Sequence, residues 1–330
     1  MKPLLVTGSS GHLGEAILRL CTERNRPALG LDRVSGPFTT HLADLRRPDD
    51  LVALTAQTDA VIHCATLHKP HVATHDRQDF VDTNVSVTLA LLEAARSAGH
   101  NRFVFTSTTS AFGEALRPAP GAPAAWIDES VASVPKNIYG VTKTAAEDLC
   151  QLFARRFDLP VTVLRTSRFF PEPDDNPDVR ASMSDLNAKA IEFLHRRVDL
   201  ADAATAHLDA LAPRDAPIFE RFAISAPSPF RPEDAPRLRD DLPGLLALRC
   251  PGALETLEAA GLSLPRGLDR VYDSRAACDR LGWRPAFDFA RILDQIRSGD
   301  PIGSQLARDV GTKGYHGARY RDGLYPVASD

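Results

Sequence analysis

The sequence predicts an α/β protein: a doubly wound parallel sheet with a smaller, proline-rich portion behind it. Short apolar runs alternate with amphipathic runs of helical period through about the first 170 residues. A glycine-rich turn joins the first apolar run to the first helical one. Beyond that point prolines interrupt the pattern, many of the chain's 25 falling between Pro213 and Pro251. The expected division is therefore 1–170 and 171–330, the second part able to return strands or helices to the sheet of the first.

The elements follow in order. Residues 3–7 form a short apolar strand, and 15–25 a helix with Ala16, Ile17, Leu20 and Cys21 on one face. Residues 28–31 are a second strand ending at Asp32, and 60–65 a third. Leu89, Leu92 and Ala95 give 84–97 helical spacing, with Gly99 as the stop. Residues 102–107 are a strand whose Phe103-Val104-Phe105 run implies that both faces are covered. A long helix over 139–157 and a strand over 161–166 complete the alternation. Residues 171–178 read as a loop, 184–212 as one or two helices, and 213–251 as short elements and turns. The Gly- and Tyr-rich stretch 311–325 reads as a loosely packed surface tail, or as an arm over a neighbour or over the site.

Composition excludes several classes. With 330 residues, 43% hydrophobic and 25% charged, the chain is an ordinary globule able to bury a core without disulfides. Lys+Arg number 39 and Asp+Glu 43, a net charge of −4 with no basic block, which argues against nucleic acid as a partner. No apolar run is long enough to span a membrane. No apolar leader precedes the first strand, and the expected location is the cytoplasm. Five scattered cysteines without a Cys-x-x-Cys pair suit reduced, packed thiols.

The most informative segment is the turn from Leu5 to Gly14. Gly8 permits the tight turn, Gly11 lets backbone N–H groups approach a pyrophosphate, and Gly14 lets the helix pack on the strand. Ser10, His12 and Leu13 lie within the same turn, and no Gly-Lys-Ser/Thr of a phosphate-gripping lysine loop follows. Asp32, ending the second strand, would accept ribose hydroxyls and repel a 2′-phosphate, so NAD is favoured over NADP. Arg33 beside it is the group that would accommodate the phosphate instead. The second segment is Tyr139-Gly140-Val141-Thr142-Lys143. Helical spacing i, i+4 puts Tyr139 and Lys143 on one face, where an ammonium would lower the phenol's pKa and could hydrogen-bond a nicotinamide ribose.

Together these residues resemble the extended short-chain dehydrogenase/reductases, the NAD-dependent epimerase/dehydratase group, with a Rossmann sheet. The resemblance covers residues 3–215 well and the rest weakly. It rests on Thr7-Gly8-x-x-Gly11-x-x-Gly14, Asp32, Asp44-Leu45, His63-Cys64-Ala65, Asn84, Phe105-Thr106-Ser107-Thr108 before Phe112-Gly113, Tyr139-x-x-x-Lys143 and Leu164-Arg165. It implies that Asp44 and Leu45 contact adenine, that Ala65, Thr66 and Thr106 line the cofactor groove, and that Asn84 sits beside it. It further implies Thr108 as the catalytic hydroxyl, Tyr139 as the acid/base and Lys143 as its partner. Thr108 and Tyr139 could then clamp one substrate oxygen while hydride passes between its carbon and the nicotinamide.

Departures from the family's pattern bear on the substrate. Thr109 and Ser110 stand where sugar-nucleotide 4,6-dehydratases carry Asp-Glu, which argues against dehydration. Thr166-Ser167-Arg168-Phe169 replaces the Tyr-Phe-Asn-Pro of nucleotide-sugar epimerases, leaving Arg168 as a candidate for a phosphate or carboxylate. The stretch after it looks short for a nucleotide-embracing arm, and a smaller substrate is consistent with that. Arg266 and Arg270 lie where a second phosphate-binding arginine is expected, while 273–276 and 281–283 resemble the family's C-terminal signature. His68, Lys69, His71 and His75 fall in the loop after the third strand, where His68 or His71 could touch substrate; no metal site is expected.

The expected activity is hydride transfer on a secondary alcohol or ketone of a sugar-like, even nucleotide-sugar, compound, as an epimerase or oxidoreductase. The alternatives are a dehydrogenase of a small hydroxy or carbonyl compound with exchangeable NAD(P), and a non-catalytic NAD-binding scaffold. Scaffolds of this kind commonly lose the Tyr or Lys that this chain retains. The helices 84–97 and 139–157 carry surplus apolar residues (Val141, Ala145, Leu149, Leu152 and Phe153 on the second), and the resemblance implies a homodimer through them.

Overall fold

The computed structural model describes residues 2–174, 176–212 and 217–313. Nine strands and ten principal helices organise it. In chain order the strands are β1 (Leu4–Thr7), β2 (Ala28–Asp32), β3 (His41–Leu42), β4 (Ala60–His63), β5 (Arg102–Thr108), β6 (Ala125–Ile127), β7 (Val161–Thr166), β8 (Phe219–Ile224) and β9 (Arg270–Tyr272). The helices used below are α1 (His12–Glu23), α2 (Pro48–Thr55), α3 (Val87–Ser97), α4 (Ile138–Phe157), α5 (Asp185–Phe193), α6 (Leu200–Asp209), α7 (Leu242–Arg249), α8 (Ala253–Ala259), α9 (Phe289–Ser298) and α10 (Gln305–Val310).

Seven strands form one sheet in the order β3-β2-β1-β4-β5-β7-β8, and every pairing in it is parallel. Thr7 stands opposite both Leu31 and His63, so β1 lies inside the sheet, and the winding reverses between it and β4. Parallel strands need crossover helices, and these cover both faces. On one face α1 and α6 pack over Val6, Ile62, Val104 and Phe222; on the other α2, α3 and α4 pack over Leu5, Val61, Phe103 and Phe105. Burial on both faces explains why β1 and β5 read as continuous apolar runs. Each buried Phe contributes about 1.5–3 kcal/mol of transfer free energy.

Element boundaries differ from the sequence expectation where a turn intervenes. α1 starts at His12 rather than 15, because Gly11 is extended (φ −76°, ψ 166°) and releases the chain straight into the helix. The expected helix 84–97 begins as a π-turn over Val81–Ser86 and becomes regular only at Val87. There Asn84 turns inward to bond the Leu67 backbone, and the widened turn accommodates it. β3 and α2 were not expected: β3 is two residues long and carries no apolar run, although Pro48 and the acidic pair Asp49-Asp50 mark the start of α2.

The second half does two things. β8 and α6 join the main sheet and its covering layer, and Trp283 lies fully buried in that layer with its indole N–H donating to the Asp202 carbonyl at 3.0 Å. Ala277, Leu281 and Val310 of α10 belong to the same layer, whereas α5, α7, α8 and α9 with Phe230, Leu238 and Val271 form a separate apolar cluster. It is flanked by a two-stranded parallel sheet in which β6 pairs with β9. Of the stretch 311–325, only residues up to Lys313 are described; the remainder lies outside the described residues.

Candidate active site

Ligands of doubly wound sheets bind outside the carboxyl ends of the strands where the winding reverses. A cavity of about 340 Å³ opens there, beside the ends of β1, β2, β4, β5 and β7. One end is the glycine turn: Gly8, Gly11, His12, Leu13 and Gly14 all line it. At Gly8 the backbone is left-handed (φ +73°), and a Cβ would stand 2.7 Å from the Ala65 nitrogen. At Gly14 a Cβ would stand 2.1 Å from the Gly8 carbonyl oxygen, so α1 reaches the sheet only with glycine there. No side chain caps the start of α1, which leaves its first N–H groups to an anion. Asp32 is in the wall and accepts backbone N–H groups from Ser10 (3.0 Å) and Val34 (3.1 Å), tying β2 to the turn. Ser10 itself lies behind the wall, its hydroxyl donating to the Val34 carbonyl.

Arg33, Asp44 and Leu45 continue the wall. Arg46 forks onto Asp44 at 2.6–3.1 Å, and that hydrogen-bonded pairing holds the carboxyl down to about 2. Ala65, Thr66 and Thr106 lie along the middle. Asn84 is brought next to this stretch but not into the wall: its amide oxygen accepts from Thr66 (2.9 Å) and the Leu67 N–H (2.9 Å), fixing the loop after β4. The Thr106 hydroxyl is shared between Cys64 in the wall (3.2 Å) and His207 behind it (2.9 Å). A dinucleotide fits this half: a glycine cradle that any Cβ would fill, exposed helix N–H groups, and a carboxylate at the end of β2.

Thr108, Thr109, Ser110 and Tyr139 form the wall at the end of β5. The Thr108 hydroxyl accepts the Ser110 N–H at 3.1 Å and stands with Tyr139 in the same stretch of wall. Tyr139 packs on Leu67 and Phe80, and burial pushes its phenol up to about 12 against the opposing effect of Thr108. Lys143 lies on the same helix, its ammonium 3.9 Å over the Phe105 ring centroid and outside the cavity wall. Burial pushes Lys143 down to about 8, with Glu147 opposing.

The remaining candidates divide. His68 lines the cavity with His71, whose Nδ1 accepts the His68 backbone N–H at 3.0 Å. Arg168 is in the wall, yet its guanidinium donates to the Pro173 carbonyl (3.0 Å) and stands 3.6–3.7 Å from Asp174 and Glu192. Arg270 is a correction: it lies on β9 beside Ala125, outside the wall, as does Arg266, which pairs with Asp240 in solvent. Among the described residues no cluster of three or more His, Cys, Asp or Glu could hold a metal ion.

Sequence reasoning missed the wall formed by Ser167, Phe169, Phe170 and Lys313. The available signal was position, because an aromatic pair directly after β7 falls at the carboxyl end of the sheet. Phe170 sets its ring 5.3 Å from His12 and 5.4 Å from His68. Glu172, fully buried, accepts from His12 (2.7 Å) and from the Lys313 N–H (2.8 Å), while the Lys313 ammonium pairs with Glu15. No periodicity links residues so distant in sequence.

A cavity at the switch point of a doubly wound sheet, with a glycine cradle at one end, is the arrangement of a dinucleotide-binding fold. The model of the NAD dependent epimerase/dehydratase family matches residues 4–216, and the chain belongs to that family. Among curated relatives it is 27% identical over 197 residues to the uncharacterized UDP-glucose epimerase YtcB of Bacillus subtilis, a match covering 53% of this chain and 59% of the relative. It is 28% identical over 189 residues to uronate dehydrogenase of Agrobacterium fabrum, covering 53% and 64%. The chain thus spans less than two thirds of the length of these relatives. Among solved structures, UDP-N-acetylglucosamine 4-epimerase from Bacillus cereus aligns with a TM-score of 0.62 at 20% identity, covering 90% of this chain and 98% of that one. A short-chain dehydrogenase/reductase superfamily protein from Agrobacterium tumefaciens, with bound NAD, aligns at 0.64 and 22%, covering 93% and 97%. These structural likenesses establish the fold.

Proposed function

We propose that the chain binds NAD along this cavity and catalyses reversible oxidation at a secondary carbinol of a sugar-like compound, as an oxidoreductase or an epimerase. The observation that carries the reading is that Thr108 and Tyr139 both stand in the wall of a cavity whose other end is the glycine cradle of residues 8–14. Gly11 and the first N–H groups of α1 would hold the pyrophosphate, Asp32 the adenosine ribose, and Asp44 with Leu45 the adenine. NAD, when bound, supplies the hydride acceptor or donor. Thr108 and Tyr139 would hold the substrate oxygen, with Tyr139 exchanging its proton. A phenol at about 12 is protonated at neutral pH, poised to donate toward a carbonyl oxygen. Lys143 would act from behind the wall, its charge adjusting the phenol once the site is filled.

A dehydrogenase of a small compound with exchangeable NAD is the second reading, and the similarity to uronate dehydrogenase favours keeping it. Absorbance of the purified protein separates the two. Stoichiometric co-purified NAD points to epimerisation, whereas an empty protein that reduces added NAD points to net oxidation. Failure to bind NAD at all overturns both.

A two-fold homodimer through α3 and α4 is part of the proposal. Leu89, Val141, Leu152 and Phe157 are exposed there. The stripe is narrower than its spacing suggested, because Phe153 is buried inward on the core under the sheet. Light scattering should give about twice the 35.9 kDa chain mass. Location in the cytoplasm remains part of this reading, and the five cysteines, all free thiols, accord with a reducing compartment.

A further inference from the structure

We propose that Lys69, Lys136 and Arg117 form a cationic rim at the Tyr139 end of the cavity, a subsite for one acidic group, carboxylate or phosphate, carried by the substrate. The rim rests on the NAD-dependent reading above and adds a charge requirement to its substrate class.

Packing brings the three cations together from separate stretches of the chain. Lys69 opens the turn Lys69–Ala73 after β4 and stands in the cavity wall. That turn is held against the start of α4, because Val72 and Ile138 both pack on the cluster of Leu67, Phe80 and Tyr139. Lys136 leads into the same start of α4. Its neighbour Asn137 caps the helix, accepting the Gly140 N–H at 2.9 Å, which fixes where the lysine leaves the backbone. Arg117 follows the turn Gly113–Leu116, and this turn is seated on the approach to α4. The Val134 carbonyl accepts the Glu114 N–H at 2.9 Å, and at left-handed Gly113 (φ +52°) a Cβ would overlap that carbonyl. Leu116 and Ala125 share one apolar cluster, and Ala125 stands opposite Arg270 on β9. Arg270 therefore backs the rim from outside the wall, within electrostatic reach of Lys136.

Charge at the rim is one-sided. Partial burial, then the repulsion of Arg117, Lys69 and Arg270, holds the Lys136 ammonium below the ordinary lysine value, with Glu114 opposing. In a chain of net charge −4, gathering four cations around one carboxylate costs folding free energy through self-repulsion. An anion entering among them turns that repulsion into attraction. Carboxylate or phosphate oxygens would meet ammonium and guanidinium donors there in charge-assisted hydrogen bonds. Lys69 joins the rim to the wall that carries Thr108 and Tyr139, so an acidic group held at the rim leaves the carbinol end of a sugar-sized molecule toward those hydroxyls. The cofactor's own phosphates belong to the glycine cradle at the other end, which leaves the rim to the second reactant.

The test uses the full chain saturated with NAD, titrated calorimetrically with D-glucose and D-galactose, their uronates, their terminal phosphates and UDP-glucose. At least one acidic compound should bind saturably and about 10-fold or more tighter than its neutral parent. Lys136→Gln and Arg117→Gln, both at exposed positions, should each cut that preference by about 10-fold. Affinities for NAD and for the neutral sugars should stay unchanged, and Lys136→Arg should restore most of the preference. A uronate favoured over the sugar phosphate identifies the anion as a carboxylate, and the reverse order identifies a phosphate monoester. A preference for UDP-glucose alone, lost in the same variants, identifies a diphosphate. Equal affinity for acid and parent throughout, or a preference that survives both neutralising substitutions, overturns the rim while leaving the NAD-dependent reading intact. Failure of the wild-type chain to bind NAD is the separate result that removes that reading.

Discussion

The two halves of this chain solve different problems. In the first, four strands of the parallel sheet end at one line, and each delivers a side chain or a backbone turn to the same cavity: Gly8 from β1, Asp32 from β2, Ala65 beyond β4, Thr108 from β5. In the second, short helices gather around Leu242, Leu246 and Phe289 and give the described wall nothing before Lys313. The difference teaches that burial and chemistry have been separated. Within the second half a seam joins the layer over the main sheet to that separate cluster: Asp202 of α6 accepts backbone N–H groups from Ala286 (2.8 Å) and Phe287 (2.9 Å).

The largest effect expected lies in the first half. Tyr139→Phe removes one oxygen and keeps the ring packed on Leu67 and Phe80. Turnover should fall by about 10²–10⁴-fold, the usual worth of a positioned acid/base, while NAD affinity stays nearly unchanged. Retention of more than about a tenth of the rate would remove Tyr139 from that role. The companion change in the second half is Leu246→Ala, in a fully buried position on α7. It should lower unfolding free energy by about 2–5 kcal/mol, seen in urea titration, with NAD affinity intact in the folded fraction. A parallel loss of NAD affinity would show that the two halves are energetically one.

Legibility in the sequence follows the same division. The phosphate turn, Asp32 and the Tyr139 helix could be read because each is local: a strand, a few residues of turn, a helix. β8 could not, since its place beside β7 depends on a partner across the Pro171–Ala212 excursion, and the two-residue β3 has no pattern to detect. The Lys143 position was read correctly as sharing a helix with Tyr139, but the ammonium's seat over Phe105 is set by tertiary packing. Arg270 lies on β9, which pairs with β6 outside the described wall, and loose similarity this late in the chain carries no such placement. The Glu172 latch joins His12 and Lys313 from opposite ends of the chain, and only the folded structure brings them together.

The seam can be probed by pH. Burial raises the Asp202 carboxyl to about 7 despite its two backbone bonds, from an ordinary value of 3.8. Between those values the folded chain holds a proton that the unfolded chain has released. This contribution to stability is therefore full below about pH 4 and is lost as pH rises through 7. Its slope is at most about 1.4 kcal/mol per pH unit. Asp202→Asn should flatten the dependence of unfolding free energy across that window, at the expense of one hydrogen bond. Identical pH profiles for the two proteins would mean that Asp202 is ionised in the fold and does not make the seam pH-sensitive.

The smallest effect separates recognition from scaffolding within the first half itself. Asp32 does two jobs in the structure: it lines the cavity, and it accepts the Ser10 and Val34 N–H groups that hold the glycine turn against β2. Asp32→Ala removes both. NAD should bind about 10-fold more weakly, a loss of about 1.4 kcal/mol, consistent with one charge-assisted interaction. NADP should lose less, or gain, because the carboxylate that would repel a 2′-phosphate is gone and exposed Arg33 remains beside the site. The ratio of NADP to NAD affinity is the quantity to measure, since a slackened turn would weaken both cofactors alike and leave that ratio fixed. A fixed ratio would assign Asp32 to the scaffold, and a wild-type preference for NADP would reverse its reading altogether.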